Sequence, residues 1–239
     1  DWAPAADGTL IPISVIHRAD LDMSKPHPVI QYGYGSYESS MDPMFSIPML
    51  SILDRGVIYV IAHIRGGGEM GRSWYQNGKK LAKKNTFTDF VDVTSYIAAK
   101  PWADEARIGC YGGSAGGLLM GAVVNLAPEK YAACLAAVPF VDALTTILDP
   151  ELPLSAMEWE EWGNPIEDPE VYAYMKSYTP YENIRPVRYP AIAAVTSLHD
   201  TRVLYVEPAK WVAALREQID PSSPVPLLKI DMSGGHGGG

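Results

Sequence analysis

"RIGCYGGSAGG", residues 107–117, runs from an apolar strand pattern into Gly112-Gly113-Ser114-Ala115-Gly116 and on into the small, apolar run Gly117 to Val124. Residues 112–116 satisfy Gly-x-Ser-x-Gly in a strand–turn–helix setting, the context in which that spacing exposes a nucleophilic serine. The chemistry needs glycines here because the serine sits on a strained, tight turn, where flanking side chains would strike the neighbouring strand and helix. The turn lifts the Ser114 hydroxyl to a helix N-terminus, whose dipole favours developing negative charge.

Outward from this turn, β-rich apolar runs alternate with helix-length patterns. The expected strands are Leu10 to His17, Pro28 to Tyr32, Val57 to Ile64, Arg107 to Tyr111, Tyr131 to Val138, Ala191 to Ser197 and Pro226 to Asp231. Between them, Pro43 to Arg55, Thr88 to Lys100, Ala115 to Leu126 and Glu207 to Gln218 carry helical periodicity. The alternation predicts an α/β protein with a mostly parallel central sheet and helices on both faces, and the Gly-x-Ser-x-Gly turn makes it one of the α/β-hydrolase type. At 239 residues and 47% hydrophobic composition, one domain spanning 1–239 can bury a substantial core. The first residue is Asp1 rather than Met, which points to a piece of something longer.

A net charge of −9 argues against nucleic-acid and anionic-membrane surfaces and fits a cationic partner. Cys110 and Cys134 both fall in apolar strand patterns, so they read as free core thiols in a reducing, cytoplasmic setting. No apolar run reaches 18 residues, so neither a membrane span nor a leader peptide is visible. No His/Cys/Asp spacing suggests a metal, and Gly66-Gly67-Gly68 lacks the spacing of a nucleotide loop, so no cofactor is expected. His17 and His63 read as strand residues.

A serine hydroxyl needs a base to take its proton and a carboxylate to orient that base. In this fold the order along the chain is serine, acid, histidine. Of five histidines only His199 and His236 follow Ser114. Neighbours on an extended segment point to opposite sides, so of His199 and Asp200 at most one faces the serine. Asp200 follows one apolar strand and His236 the next, which yields Ser114, Asp200 and His236, each at the carboxyl end of a different strand. The closing string His236-Gly-Gly-Gly matches a lipase oxyanion motif in letters only, because that motif belongs after an early strand. The early position holds "QYGYGSY", residues 31–37. The Ala115 N–H supplies one oxyanion donor and a tyrosine hydroxyl from this loop, Tyr34, is the candidate for the second, although a loop tyrosine is more often packing.

"YGYGSY", "RGGGEMG", "GGSAGG", "EWEEWGNP", "YMKSYTPYENI", "LHDTRV" and "GGHGG" occur in this order along the chain. Together they resemble the prolyl oligopeptidase family of serine peptidases, and within it the oligopeptidase B branch. The resemblance implies Ser114, Asp200 and His236 as the triad, Tyr34 as an oxyanion donor, and Arg202 as a contact to the substrate backbone. It implies Glu158 and Glu160 as an acidic pair receiving a basic side chain, with Phe140 as an apolar wall beside them. It also implies short basic peptides as substrates, a propeller domain capping the site, and a helix after the histidine; these residues contain neither of the last two.

Charge fits that implication. Between Asp142 and Glu170 stand nine carboxylates and no Lys or Arg. Most read as a solvated face, whereas the aromatics interleaved with acids in "EWEEWGNP", residues 158–165, look like a pocket wall. A carboxylate about 4 Å from a guanidinium gains roughly 4 kcal/mol at an effective dielectric near 20, enough to direct cleavage after Arg or Lys. Bidentate pairing would favour Arg over Lys. Lys79, Lys80, Lys83 and Lys84 read as a solvated helix face or a docking site for an acidic neighbour. The alternatives are an esterase or lipase of the same fold acting on neutral acyl esters, and an inactive catalytic-lobe fragment.

Overall fold

The computed structural model describes residues 1–152 and 154–238. Eight strands form one sheet: β1 (Trp2–Pro4), β2 (Leu10–Ile16), β3 (His27–Tyr32), β4 (Ile58–Ala62), β5 (Ala103–Gly113), β6 (Ala133–Ala137), β7 (Ala191–Ser197) and β8 (Leu227–Asp231). Their order is β1-β2-β4-β3-β5-β6-β7-β8, with β1–β2 and β2–β4 antiparallel and every other pairing parallel. The helices are α1 (Ile47–Leu53), α2 (Arg72–Gln76), α3 (Lys84–Ala98), α4 (Ala115–Leu126), α5 (Ala143–Ile147), α6 (Ser155–Trp162), α7 (Pro169–Tyr178) and α8 (Val206–Gln218). This is the α/β-hydrolase fold.

Successive strand residues point to opposite faces, and the apolar residues divide accordingly. On one face Ile13, Val29, Ile58, Val60, Ile108, Cys110, Ala136 and Ile192 join Phe87 and Phe90 of α3, Leu118 and Leu119 of α4, and Trp211 and Leu215 of α8 in the main core. On the other, Tyr59 and Ile61 pack with Leu53 and Met49 of α1 and with Ile30 and Tyr32. Helices therefore lie on both faces, unequally. Past α1 the second face is a groove of about 590 Å³ lined by Ile30, Ile52, Tyr111, Leu135, Ala193 and Leu227.

All seven expected strands are present with ends shifted by a few residues, and β1 is additional. It is three residues long and pairs with Leu10–Pro12, too short to show a period. The helix expected over Pro43 to Arg55 starts at Ile47, because Ser46 is extended and its hydroxyl caps the Met49 N–H at 3.4 Å. The helix expected from Thr88 begins at Lys84. Cys110 and Cys134 are buried, free and opposite each other in the β5–β6 register.

The chain runs from β3 outward to β4 and then back to β5 on the other side of β3, so the strand order reverses between β3 and β5. A crevice opens at the carboxyl ends there, the position where open α/β sheets hold their sites.

Candidate active site

Ser114 stands between β5 and α4 with φ 58° and ψ −118°, a conformation L side chains rarely adopt. The turn closes because its neighbours lack side chains. A Cβ on Gly112 would lie 2.3 Å from the Gly116 carbonyl oxygen, and one on Gly117 would lie 2.4 Å from Pro139 Cα. Ala115 is the first residue of α4, so its N–H has no carbonyl partner within the helix, and the residue lines the cavity beside Ser114.

Asp200 follows β7 and is buried; Oδ1 accepts the N–H groups of Arg202 and Val203, both at 2.9 Å. Its Oδ2 takes His236 Nδ1 at 2.8 Å. A carboxylate can only accept, so Nδ1 donates and Nε2 is left to accept from the Ser114 hydroxyl, 3.1 Å away. His236 is delivered by the loop after β8, where Asp231 Oδ1 accepts from the Ser233 and Gly234 N–H groups at 2.8 and 3.0 Å. Of the adjacent pair, His199 is exposed and Asp200 faces inward.

Ser114, Ala115, His236, Tyr34, Phe140, Glu158 and Arg202 all line one cavity of about 470 Å³. Tyr34 is half-buried, and burial first, then the nearby Tyr32 and the Glu161 and Glu158 carboxylates, push its phenol up to about 12. It stays a proton donor throughout the neutral range. Phe140 arrives through a turn at Val138, φ 41°, and its N–H donates to the Ser114 carbonyl at 3.1 Å. Glu158, on α6, sets one carboxylate oxygen against the Tyr37 hydroxyl and the Trp162 Nε1–H, the latter at 2.8 Å. An imidazole that can take the serine proton, in one cavity with the Tyr34 phenol, Ala115 and the Glu158 carboxylate, suits acyl transfer to a serine.

A family model described as the prolyl oligopeptidase family, Peptidase_S9, matches residues 43–239. The chain belongs to the prolyl oligopeptidase family. It is 53% identical over 238 residues to dipeptidyl aminopeptidase BI of Pseudoxanthomonas mexicana, covering 99% of this chain and 33% of that protein. It is 44% identical over 237 residues to protease 2 of Moraxella lacunata, 99% of this chain and 34% of that one. Among solved structures, oligopeptidase B from Leishmania major superposes with a TM-score of 0.95 at 52% identity, covering 99% of this chain and 33% of that one. Oligopeptidase B from Trypanosoma brucei with covalently bound antipain, in a closed form, gives 0.95 at 48% identity, again over 99% and 33%. The chain thus spans about a third of the length of these relatives.

Against this prolyl oligopeptidase frame, one expected site residue lies elsewhere. Glu160 is not in the cavity: its carboxylate is 77% exposed and paired with Lys79 at 3.0 Å and Lys80 at 3.3 Å. The reason is helical geometry, since residues two apart on α6 point to nearly opposite sides. Glu161 turns inward instead, accepting the Tyr37 N–H at 2.9 Å and the Tyr75 hydroxyl. Of the nine carboxylates, Asp142 and Glu161 are buried, Glu158 is half-buried and six are solvated. The lysine run is not one solvated face: Lys84 is exposed, whereas Lys83 is fully buried.

A second serine–histidine–acid chain exists. Ser14 Oγ lies 2.8 Å from His63 Nε2, and His63 Nδ1 lies 3.0 Å from Glu69 Oε2. Ser14 sits mid-strand in β2, with no helix N-terminus beside it and no place in the 470 Å³ cavity. Tyr37, absent from the sequence-based site, shapes the cavity by binding Glu158.

Proposed function

We propose that residues 1–239 form a single peptidase domain that hydrolyses short peptides on the carboxyl side of Arg or Lys. The observation that carries this reading is the convergence of the Ser114–His236–Asp200 hydrogen-bond chain and the Glu158 carboxylate on one cavity. Ser114 Oγ attacks the carbonyl carbon while its proton passes to His236 Nε2. The oxyanion is held by the Ala115 N–H and the Tyr34 hydroxyl. Collapse breaks the C–N bond, His236 gives the proton to the departing amine, and water repeats the sequence on the ester to release the acid and free Ser114.

Glu158 receives the basic side chain, and Phe140, in a tilted contact with Trp162 at 5.5 Å, walls its apolar stem. Arg202, exposed at the cavity mouth, binds the substrate backbone. Because one Glu158 oxygen already accepts two donors, the other meets the cation alone. Bidentate pairing is thereby lost, so Lys competes with Arg more closely than charge geometry in isolation implies. The relatives' threefold greater length leaves room for a propeller that restricts substrates to short peptides.

The name of the Pseudoxanthomonas relative favours a second reading, release of dipeptides from a free amino end, with Glu158 facing an α-ammonium. The test compares amino-blocked and free aminoacyl-arginyl amides with a neutral acyl ester, alongside fluorophosphonate labelling and mass analysis. Fast cleavage of the blocked arginyl amide with label on Ser114 supports the endopeptidase. Cleavage of the free form alone selects the dipeptide-releasing reading, ester preference selects an esterase, and absent labelling means a catalytic lobe that does not work alone.

A further inference from the structure

Lys83 takes no part in the chemistry above, yet it is only 1% exposed. Its Nζ donates to the Gly35 carbonyl at 2.6 Å, the Ser36 hydroxyl at 2.8 Å and the Gly78 carbonyl at 3.2 Å. Three donors meet three acceptors, so the ammonium is fully satisfied. Its charge also lies 5.1 Å from the centre of the Trp162 ring, the side chain whose N–H holds Glu158.

This arrangement is a costly way to fill space. Burial pushes the ammonium down to about 7, and Lys83 directly precedes α3, where the helix dipole disfavours a cation. An unbranched apolar side chain would fill the same volume without either cost. What the charge holds is the loop after β3. Gly35 has φ +75°, and a Cβ there would lie 2.4 Å from Thr86 Cγ2, so its peptide is confined with the carbonyl turned inward. Ser36 is completely buried, and Tyr34 and Tyr37 flank the pair on the cavity wall.

We propose that Lys83 is a positioning residue for the oxyanion site, fixing the Gly35–Ser36 peptide and through it the Tyr34 hydroxyl. The proposal rests on the reading of Ser114 and Tyr34 given above. Oxyanion donors act through placement, and a displacement near 1 Å costs about 100-fold. Loss of Lys83 therefore lowers kcat while leaving substrate affinity in place.

The experiment is a double-mutant cycle on the purified protein with Lys83→Met and Tyr34→Phe, kcat being expressed per fluorophosphonate-titrated site and KM measured alongside. Lys83→Met is expected to lower kcat about 10- to 100-fold with KM within about threefold, and to cost less than about threefold in the Tyr34→Phe background. A double variant showing the product of the two single losses overturns the proposal, as does Lys83→Met with normal kcat. If Lys83→Met fails to fold, Ser36→Ala is cycled against Tyr34→Phe in its place. A several-fold kcat loss that vanishes in the double variant supports the proposal, and an additive or absent loss overturns it. Full kcat in Tyr34→Phe, or an inactive parent, overturns the functional reading and the proposal with it, whereas additivity with an active parent overturns Lys83 alone.

Discussion

Glu158→Gln isolates the charge to which the proposed function assigns substrate selection. Glu158 Oε2 is held by Tyr37 and by Trp162 at 2.8 Å, which leaves Oε1 clear of both donors on a residue that lines the cavity. Glutamine keeps the size and can still accept those two donors, which turns its NH₂ toward the substrate cation. A full charge about 4 Å from the cation contributes roughly 4 kcal/mol at an effective dielectric of 20 and roughly 1 kcal/mol in water. Glu158 is half-buried, which places the loss between these limits, at about 2–3 kcal/mol or about 30- to 200-fold in kcat/KM. The assay is kcat/KM for arginyl and norleucyl amides bearing the same leaving group. Only the arginyl substrate should suffer, with the norleucyl value within about threefold of the parent. Glu160→Gln is the internal control, expected to change either value less than about twofold, because its carboxylate is 77% exposed and already paired with Lys79 and Lys80. Equal losses on both substrates in Glu158→Gln, or a larger loss in Glu160→Gln, would refute the argument.

Other outcomes follow from the same geometry. Fluorophosphonate should modify Ser114 and leave Ser14 untouched despite its own histidine–glutamate partners, and Ser114→Ala should lose about six decades of kcat; peptide mapping that finds label on Ser14 refutes the distinction. Gly117→Ala places a methyl 2.4 Å from Pro139 Cα, so its urea midpoint should drop by an amount worth about 2–3 kcal/mol, and an unchanged midpoint would mean the turn yields freely. Burial lifts the Glu207 carboxyl from 4.5 to about 7 although it accepts the Asp142 N–H and the Thr146 hydroxyl. Below about pH 4.5 folded and unfolded chains both hold this proton. Between there and pH 7 only the folded chain does, so stability falls as pH rises through that window, by about 3 kcal/mol from this group. Urea midpoints across that range should flatten in Glu207→Gln, and an unaltered slope would remove Glu207 as the cause.

The strand–turn–helix geometry around Ser114 is legible because its requirements are local: glycines at 112, 113 and 116 have one economical explanation between a strand and a helix. Asp200 and His236 were legible from strand ends and chain order, since a parallel sheet converts sequence order into spatial neighbourhood at its carboxyl edge. Glu160 was misplaced because an acidic cluster carries no indication of which side of α6 each acid takes, although the spacing of two from Glu158 already opposes a shared direction. Lys83 was hidden inside a run of lysines. A signal was present all the same, because Lys83, Phe87, Phe90 and Ile97 share one helical stripe, and three of the four are core residues. Of its acceptors Gly78 is local, whereas Gly35 and Ser36 stand 48 and 47 residues away along the chain, and nothing short of tertiary structure brings them to Lys83. The helices α2 and α5 escape because five residues are too few to show a helical period, and α6 and α7 because charged residues interrupt their short apolar patterns.

The left-handed backbone at Ser114 sets reactivity and durability against each other. At φ 58° glycine is the residue best suited to the position, and Ser114→Gly would relieve strain worth about 1 kcal/mol or more while removing the reactive hydroxyl. The substitution that most improves this turn as a piece of scaffold is also one that ends its chemistry.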